Sequence, residues 1–280
     1  MSEAAPAVAT RQETRNLLTR IAAALVLAPL AIAAAYAGGA WWATLVTLAA
    51  IGLFVEWLTV VGTAREWRVA TAGSAALAIA GFCLVAGRDD ASLAALGLGL
   101  AAVALLSRER RGWSAAGFLY AAVAQGASVL VRRDPVDGLV ALILVLLVVW
   151  VTDIGGYVAG RGIGGPKLWP RISPKKTWAG SIGGFLASLA VAGVFAVLSL
   201  GETLPLLGLA AALSIAAQLG DLFESAVKRR FGVKDSGHII PGHGGLMDRL
   251  DGFVAAILVA AVLGLLRGGV DGVGRGLMIW

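Results

Sequence analysis

Cysteine is almost missing from this 280-residue chain: Cys83 stands alone, inside an apolar block. One thiol excludes a disulfide framework and a cysteine-based zinc site. Histidine is nearly as scarce. With only His238 and His243, the set of three nitrogen or sulfur ligands that zinc needs is not available either. Charge is sparse too: 14% of residues are charged, 59% are hydrophobic, and the mean hydropathy is +0.85. Soluble domains carry roughly 45–50% apolar residues, so this composition excludes an ordinary soluble fold. No internal repeat is visible, which removes one sequence sign of a transporter.

What is present is a succession of apolar blocks of about 16 to 22 residues, the length of helix that crosses a hydrocarbon core of about 30 Å. Nine spans are predicted, at about residues 17–37, 41–61, 69–86, 91–106, 113–131, 138–159, 179–200, 204–220 and 252–267. The expected fold class is all-α, a polytopic integral membrane protein. Residues 1–137 form an N-terminal transmembrane bundle of five spans. Residues 138–280 form a second transmembrane region of four spans, with long loops at 160–178 and 221–251.

Charge placement orients the chain. With the N-terminus in the cytoplasm, 18 of the 23 Lys and Arg fall on the inner side, leaving Arg88, Arg132, Arg133, Arg267 and Arg275 outside. The positive-inside rule therefore predicts a cytoplasmic N-terminus, an external C-terminus and both long loops in the cytoplasm. The first span, preceded by Arg11, Arg15 and Arg20 and rich in small residues near Ala33 to Gly39, has a second reading as a cleavable signal peptide, which leaves the remaining topology unchanged. The net charge of +6 is expected to reflect insertion and anionic lipid or phosphate ligands, not nucleic acid.

All five lysines, Lys167, Lys175, Lys176, Lys228 and Lys234, lie in the two long loops, whereas every basic residue elsewhere is Arg. Either this is chance, or the loops need compact ammonium charges for phosphates. In "RISPKKTWAGSIGG", Ser173 reads as an N-cap and Pro174 as the first residue of the seventh helix. Lys175 and Lys176 in that first turn oppose the helix dipole unless an anion sits there; the other reading is juxtamembrane lysines facing lipid headgroups. Upstream, "GRGIGG" fits a dinucleotide fingerprint through Gly160, Gly162 and Gly165 but lacks the strand, helix and acid that the motif needs, and reads as a flexible connection. Asp153 is an acid within an apolar span, expected to face a polar cavity or a structural partner. Glu56 is similar, with Arg65 or Arg68 as candidate partners.

In "GDLFESAVKRR", Asp221, Glu224, Ser225 and Lys228 recur at i, i+3, i+4 and i+7 and share one helix face. That face is either a solvated set of ion pairs or a ligand-binding one. "PGHGG", Pro241 to Gly245, lets backbone N–H groups approach a ligand, and Asp248 and Asp251 follow at the start of the ninth span. Carboxylates beside phosphate-binding cations suit Mg²⁺ held jointly by protein and substrate phosphates. His243 is placed to donate to a phosphate.

The second loop resembles the signature of the phosphatidate cytidylyltransferase family, the membrane CDP-diacylglycerol synthases. The match runs through Ser225, Val227, Lys228, Arg229, Lys234, Asp235, Gly237, Ile240, Pro241, His243, Gly244, Gly245, Leu246, Asp248, Arg249, Leu250 and Asp251. The first loop resembles the same family through Asp153, Tyr157, Gly160, Arg161, Lys167, Leu168, Pro170, Ser173, Pro174, Lys175, Lys176, Thr177 and Trp178. Two positions depart from its pattern: Gly165, where the family often has Lys, and Ala179, where it usually has Glu. The resemblance is firm over about residues 150–255 and generic before them.

The resemblance implies transfer of a cytidylyl group from CTP to phosphatidic acid, giving CDP-diacylglycerol and pyrophosphate. It also implies Mg²⁺, a second monovalent cation such as K⁺, and a homodimer in the bacterial inner membrane with its active site facing the cytoplasm. Asp221, Asp248, Asp251 and Glu224 are the expected metal ligands or their neighbours. Lys228 and Arg249 join the aspartates as catalytic candidates. Lys167, Ser173, Lys175, Lys176, Ser225, Arg229, Lys234, Asp235, His243, Gly244, Gly245 and Asp153 are the substrate-binding candidates. The lipid phosphate is already an anionic nucleophile, so positioning and charge neutralisation suffice for such a reaction. The competing readings are a CTP-dependent polyprenol or lipid kinase, which releases CDP and no pyrophosphate, and a transporter. No D-G-x-x-A-R segment of a CDP-alcohol phosphotransferase is found.

Overall fold

Apolar runs with few interior charges fold as helices because every backbone polar group must find a partner within the segment once water is gone. The computed structural model describes residues 29–237 and 244–280. Residues 29–37 are helical (α1). There follow α2 (Gly39–Val60), α3 (Trp67–Val85), α4 (Asp89–Leu106), α5 (Arg111–Arg133) and α6 (Gly138–Gly162). A short antiparallel hairpin, β1 (Lys167–Trp169) and β2 (Ser173–Thr177), leads into α7 (Trp178–Val197). The chain ends with α8 (Thr203–Arg230), α9 (Met247–Gly268) and, after a 3-10 turn, α10 (Val273–Met278). Eight described helices, α2 to α9, are long and apolar enough to cross a membrane. The fold is that of an all-α polytopic membrane protein. The first predicted span lies mainly outside the described residues, as do its arginines and the signal-peptide reading.

The segment boundaries differ from expectation in three places, each for a local reason. Lys175 and Lys176 are in strand β2, not in a first helical turn, because β2 pairs with β1 through Lys167 opposite Thr177 and Trp169 opposite Ser173. Thr177 is the N-cap of α7, its hydroxyl accepting from the Gly180 N–H at 3.1 Å, so Ser173 is not. The second long loop also shrinks. Residues 221–230 continue α8, and α9 starts at Met247, so Asp248 and Asp251 are already helical.

Packing defines the core. α6 and α7 meet along glycines. A Cβ at Gly180 would stand 2.7 Å from the Gly156 carbonyl oxygen, and one at Gly184 would stand 2.4 Å from that of Thr152. Small residues of this kind let membrane helices touch backbone to backbone. α8 and α9 close at Gly220, where a Cβ would lie 2.5 Å from the Asp251 carbonyl oxygen. An apolar cluster around Phe54, Trp57 and Phe118 also takes in Val227, Met247 and Val254, so residues before and after position 138 share one core. α4 buries little and turns Leu93, Leu98 and Leu105 outward.

Arginines tie both ends of the bundle. At one end the α2–α3, α4–α5 and α8 termini converge: Arg110 donates to the Val61 carbonyl at 2.5 Å and lies over Phe231, while Arg230 lies over Trp113. At the other, Arg133 pairs with Asp89 at 2.8 Å, Arg132 donates to the carbonyls of Ala35 and Tyr36, and Arg267 stacks on Trp280. Asp134 ties the α5–α6 turn to α10, accepting from the N–H groups of Val136, Asp137 and Arg275.

Candidate active site

Three helix crossings and the hairpin build the site. α6 supplies Asp153, α8 supplies Asp221, Glu224 and Lys228, and α9 supplies Asp248 and Asp251. The close approach at Gly220 sets Asp251 beside Asp221. These acids interact in sequence across the bundle: Asp251 lies within electrostatic reach of Asp221, Asp153 and Glu224. Two lysines lie among them. Lys176 Nζ is 2.5 Å from Asp221. Lys228 Nζ is 2.7 Å from Glu224 and 2.6 Å from Asp248. Asp248 also accepts from the Ser236 N–H at 3.1 Å and the Gly245 N–H at 3.2 Å. The i, i+3, i+7 face expected on α8 is therefore real, and it turns toward α9 and the hairpin, not toward bulk water.

On the α6 side of this row lies a cavity of about 530 Å³, within the roughly 300–1,000 Å³ range of small-molecule sites. Asp153, Lys167, Lys175, Lys176 and Asp221 line it, as do Tyr157 and Arg161. Strand pairing brings the lysines here: Lys167 and Lys175 are on facing strands of one hairpin. Its apolar-side floor is polar. Thr152 donates to Ser214 at 2.9 Å, and Ser181 bonds to Gln218, one turn before Asp221. Sequence reasoning passed over Ser181, Ser214 and Gln218. Their signal was available, since Ser214, Gln218 and Asp221 continue one face of α8 through an otherwise apolar stretch.

The other expected residues divide as follows. Ser173 lies at the start of β2, and Ser225 makes a long 3.4 Å bond to Asp221. Arg229 donates to the Val233 carbonyl at 3.3 Å and is exposed, as are Lys234 and Asp235. Arg249 is exposed on the first turn of α9. Gly244 has φ +87°, and its neighbour Gly245 is buried. His243, Pro241 and Gly242 lie outside the described residues. Glu56 has a different partnership from the one expected. Neither Arg65 nor Arg68 meets it; it accepts from the N–H groups of Leu246 at 2.8 Å and Met247 at 2.7 Å and from the Ser236 hydroxyl at 3.1 Å. Gly165 has φ +93°, a conformation that glycine takes without strain on the way into the hairpin.

The donors are carboxylates only, the ligand class of hard cations. Asp153, Asp221, Asp251, Glu224 and Asp248 face two lysines, and the Glu224 Oε1 atom is buried with no hydrogen-bond partner. Among the described residues no three such groups converge at ligand spacing, Lys228 being inserted between Glu224 and Asp248. By donor chemistry the set fits a hard cation.

Comparison with known proteins identifies the family. Residues 18–266 match the model of the Cytidylyltransferase family. The chain is 41% identical over 258 residues to the phosphatidate cytidylyltransferase of Brucella suis biovar 1 (strain 1330), covering 89% of this chain and 93% of that protein. The corresponding protein of Brucella abortus biovar 1 (strain 9-941) is similar to the same extent. The phosphatidate cytidylyltransferase of Staphylococcus haemolyticus (strain JCSC1435) is 51% identical over 130 residues, 45% of this chain and 50% of that protein. A match that spans almost all the helices places this chain in the cytidylyltransferase family.

Proposed function

We propose that this membrane protein transfers the CMP moiety of CTP to the phosphate of phosphatidic acid, forming CDP-diacylglycerol and releasing pyrophosphate. The observation that carries this reading is the row of carboxylates and lysines at the edge of a cavity between α6, α7 and α8. The lysines of the hairpin neutralise phosphate charge as the two polyanions meet. Asp221, Asp248, Asp251 and Glu224 are the residues that would hold Mg²⁺, with a monovalent cation such as K⁺ as a second ion. Bound Mg²⁺ supplies Lewis-acid neutralisation of the phosphate oxygens. Lys228 keeps Glu224 and Asp248 together, and the N–H groups of Ser236 and Gly245 fix the Asp248 carboxylate. The lipid phosphate needs no protein nucleophile, since it attacks the α-phosphorus as an anion. The new P–O bond forms as the bond to pyrophosphate breaks.

The same proposal places the protein in a bacterial inner membrane as a homodimer, with the lysine-bearing end in the cytoplasm. The test uses detergent-solubilised protein with CTP labelled at the α-phosphate, phosphatidic acid and Mg²⁺. Label in the lipid with release of pyrophosphate is expected. CDP release with unlabelled, phosphorylated lipid would instead identify a lipid kinase, and neither product from folded, CTP-binding protein would refute the reading.

A further inference from the structure

Glu56 is a buried acid with no cation beside it among the described residues. It sits near the end of α2, in the N-terminal half of the chain, and is 2% exposed. Its carboxylate accepts from neutral donors: the N–H groups of Leu246 and Met247, at the start of α9, and the hydroxyl of Ser236. A carboxylate at a helix N-terminus satisfies amides that have no partner within the helix and complements the helix dipole. Two glycines leave room for it. A Cβ at Gly237 would stand 2.9 Å from Glu56 Oε1, and one at Gly245 would stand 2.9 Å from Oε2 and 1.8 Å from the Ser236 hydroxyl.

The segment that Glu56 grips is the one that fixes Asp248. Ser236 donates its hydroxyl to Glu56 and its N–H to Asp248. Gly245 donates its N–H to Asp248 while packing on Glu56. The two carboxylates thus share Ser236 and Gly245, and Glu56 also takes the N–H groups of Leu246 and Met247. We propose that Glu56 is a positioning residue for the transfer reaction: it clamps the entry to α9 so that Asp248 meets Lys228 and the substrates at a fixed place. α2 thereby contributes to the site without touching substrate.

This inference rests on the proposed transfer reaction for its kinetic arm and is independent of it for its structural arm. The isosteric substitution Glu56→Gln keeps the volume but sets an amide N–H₂ group against backbone donors. In folded Glu56→Gln protein, kcat is expected to fall about 10- to 100-fold, the range of a displaced catalytic group, with the KM values for CTP and phosphatidic acid little changed. Amide hydrogen exchange in peptides covering residues 236–248 is expected to quicken, while that in α7 stays as in wild type. Ser236→Ala removes one donor and is expected to give a smaller change of the same kind, and the double variant is expected to show less than the summed effects. Wild-type kcat and wild-type exchange in folded Glu56→Gln overturn the proposal. Where Glu56→Gln does not fold, Ser236→Ala decides, and wild-type kcat with wild-type exchange in that variant overturns it. An inactive wild type with clamped amides at Ser236 and at Gly245 to Met247 refutes the transfer reading and leaves the clamp standing; faster exchange with wild-type kcat overturns the positioning role alone.

Discussion

Lys228 is the residue through which the α8 and α9 carboxylates are joined. Its ammonium lies between Glu224 and Asp248, all three being largely shielded from water. Replacing it with an apolar side chain leaves two acids facing each other without a cation, an arrangement that costs about 3–5 kcal/mol when a buried pair is broken. Lys228→Met should therefore lower the melting temperature in detergent as well as abolish transfer. An unchanged melting temperature would show that the bridge is not structural. Asp221 and Asp248 differ from Lys228 in expectation. Asp221→Asn and Asp248→Asn should retain the fold, yet lose at least about 10²-fold in kcat, because transition-state charge is stabilised by such groups. Near-normal turnover in either variant refutes its assignment to the metal.

These residue roles were legible to different depths. The α8 face of Asp221, Glu224 and Lys228 follows from helical periodicity alone. Lys228 as a bridge to Asp248 does not, because 20 residues and a loop separate them and only the α8–α9 crossing brings them together. Glu56 illustrates the same limit more sharply. An apolar-span acid is visible in sequence, and nearby arginines are the natural guess at its partner. Its real partners are backbone amides 190 and 191 positions away.

At the scale of elements, the α6–α7 seam sets one wall of the cavity. Gly184→Val would place a branched side chain against the Thr152 carbonyl, 2.4 Å from the first carbon alone. The helices must separate, and the expected outcome is loss of CTP binding together with a lower melting temperature, measured by ligand-dependent thermal shift. CTP binding equal to wild type would mean that the cavity does not depend on this seam. The hairpin is the element that sequence reasoning mistook for a helix start. Ser173 and Pro174 have the right chemistry for an N-cap and first turn, but Thr177 competes for the same role, and strand pairing with 167–169 favours the later start.

The opposite end of the bundle gives an element-scale prediction in pH. Burial alone pushes the Asp134 carboxyl up, but the N–H groups of Arg275, Val136 and Asp137 and the Arg275 guanidinium outweigh it and hold the group below the usual carboxylate range. A group whose pKa is depressed by folding contributes stability above its unfolded pKa and loses it as pH falls through the folded value. Asp134→Asn should accordingly lower the melting temperature at pH 7, and the gap to wild type should narrow in acid. A gap independent of pH would place the loss in packing and not in the carboxylate's charge.

For the molecule as a whole, the arrangement of basic residues predicts sidedness. Cys83 lies in α3, away from the described site, so Cys83→Ser should leave activity intact and supply a cysteine-free background. In that background, Lys234→Cys should react with an impermeant thiol reagent only from the cytoplasmic side, and Asp271→Cys only from the outer side. Labelling of both from one side would mean an extra or missing span between them.

Composition and period determined the class of this protein: a chain with so little charge in such long apolar runs must satisfy its backbone as helices in lipid, and the lysines and aspartates spared from those runs mark the candidate site. Local sequence also carried the signatures of the family, because side chains at fixed helical spacing share one face. Tertiary structure decided which acids meet which cations, that a hairpin and not a helix end presents Lys167 and Lys175, and that Glu56 reaches across from α2 to the start of α9. Those contacts join residues far apart in the chain through glycine-permitted close approaches, and the distance between two helices is a property of their packing that no local pattern contains.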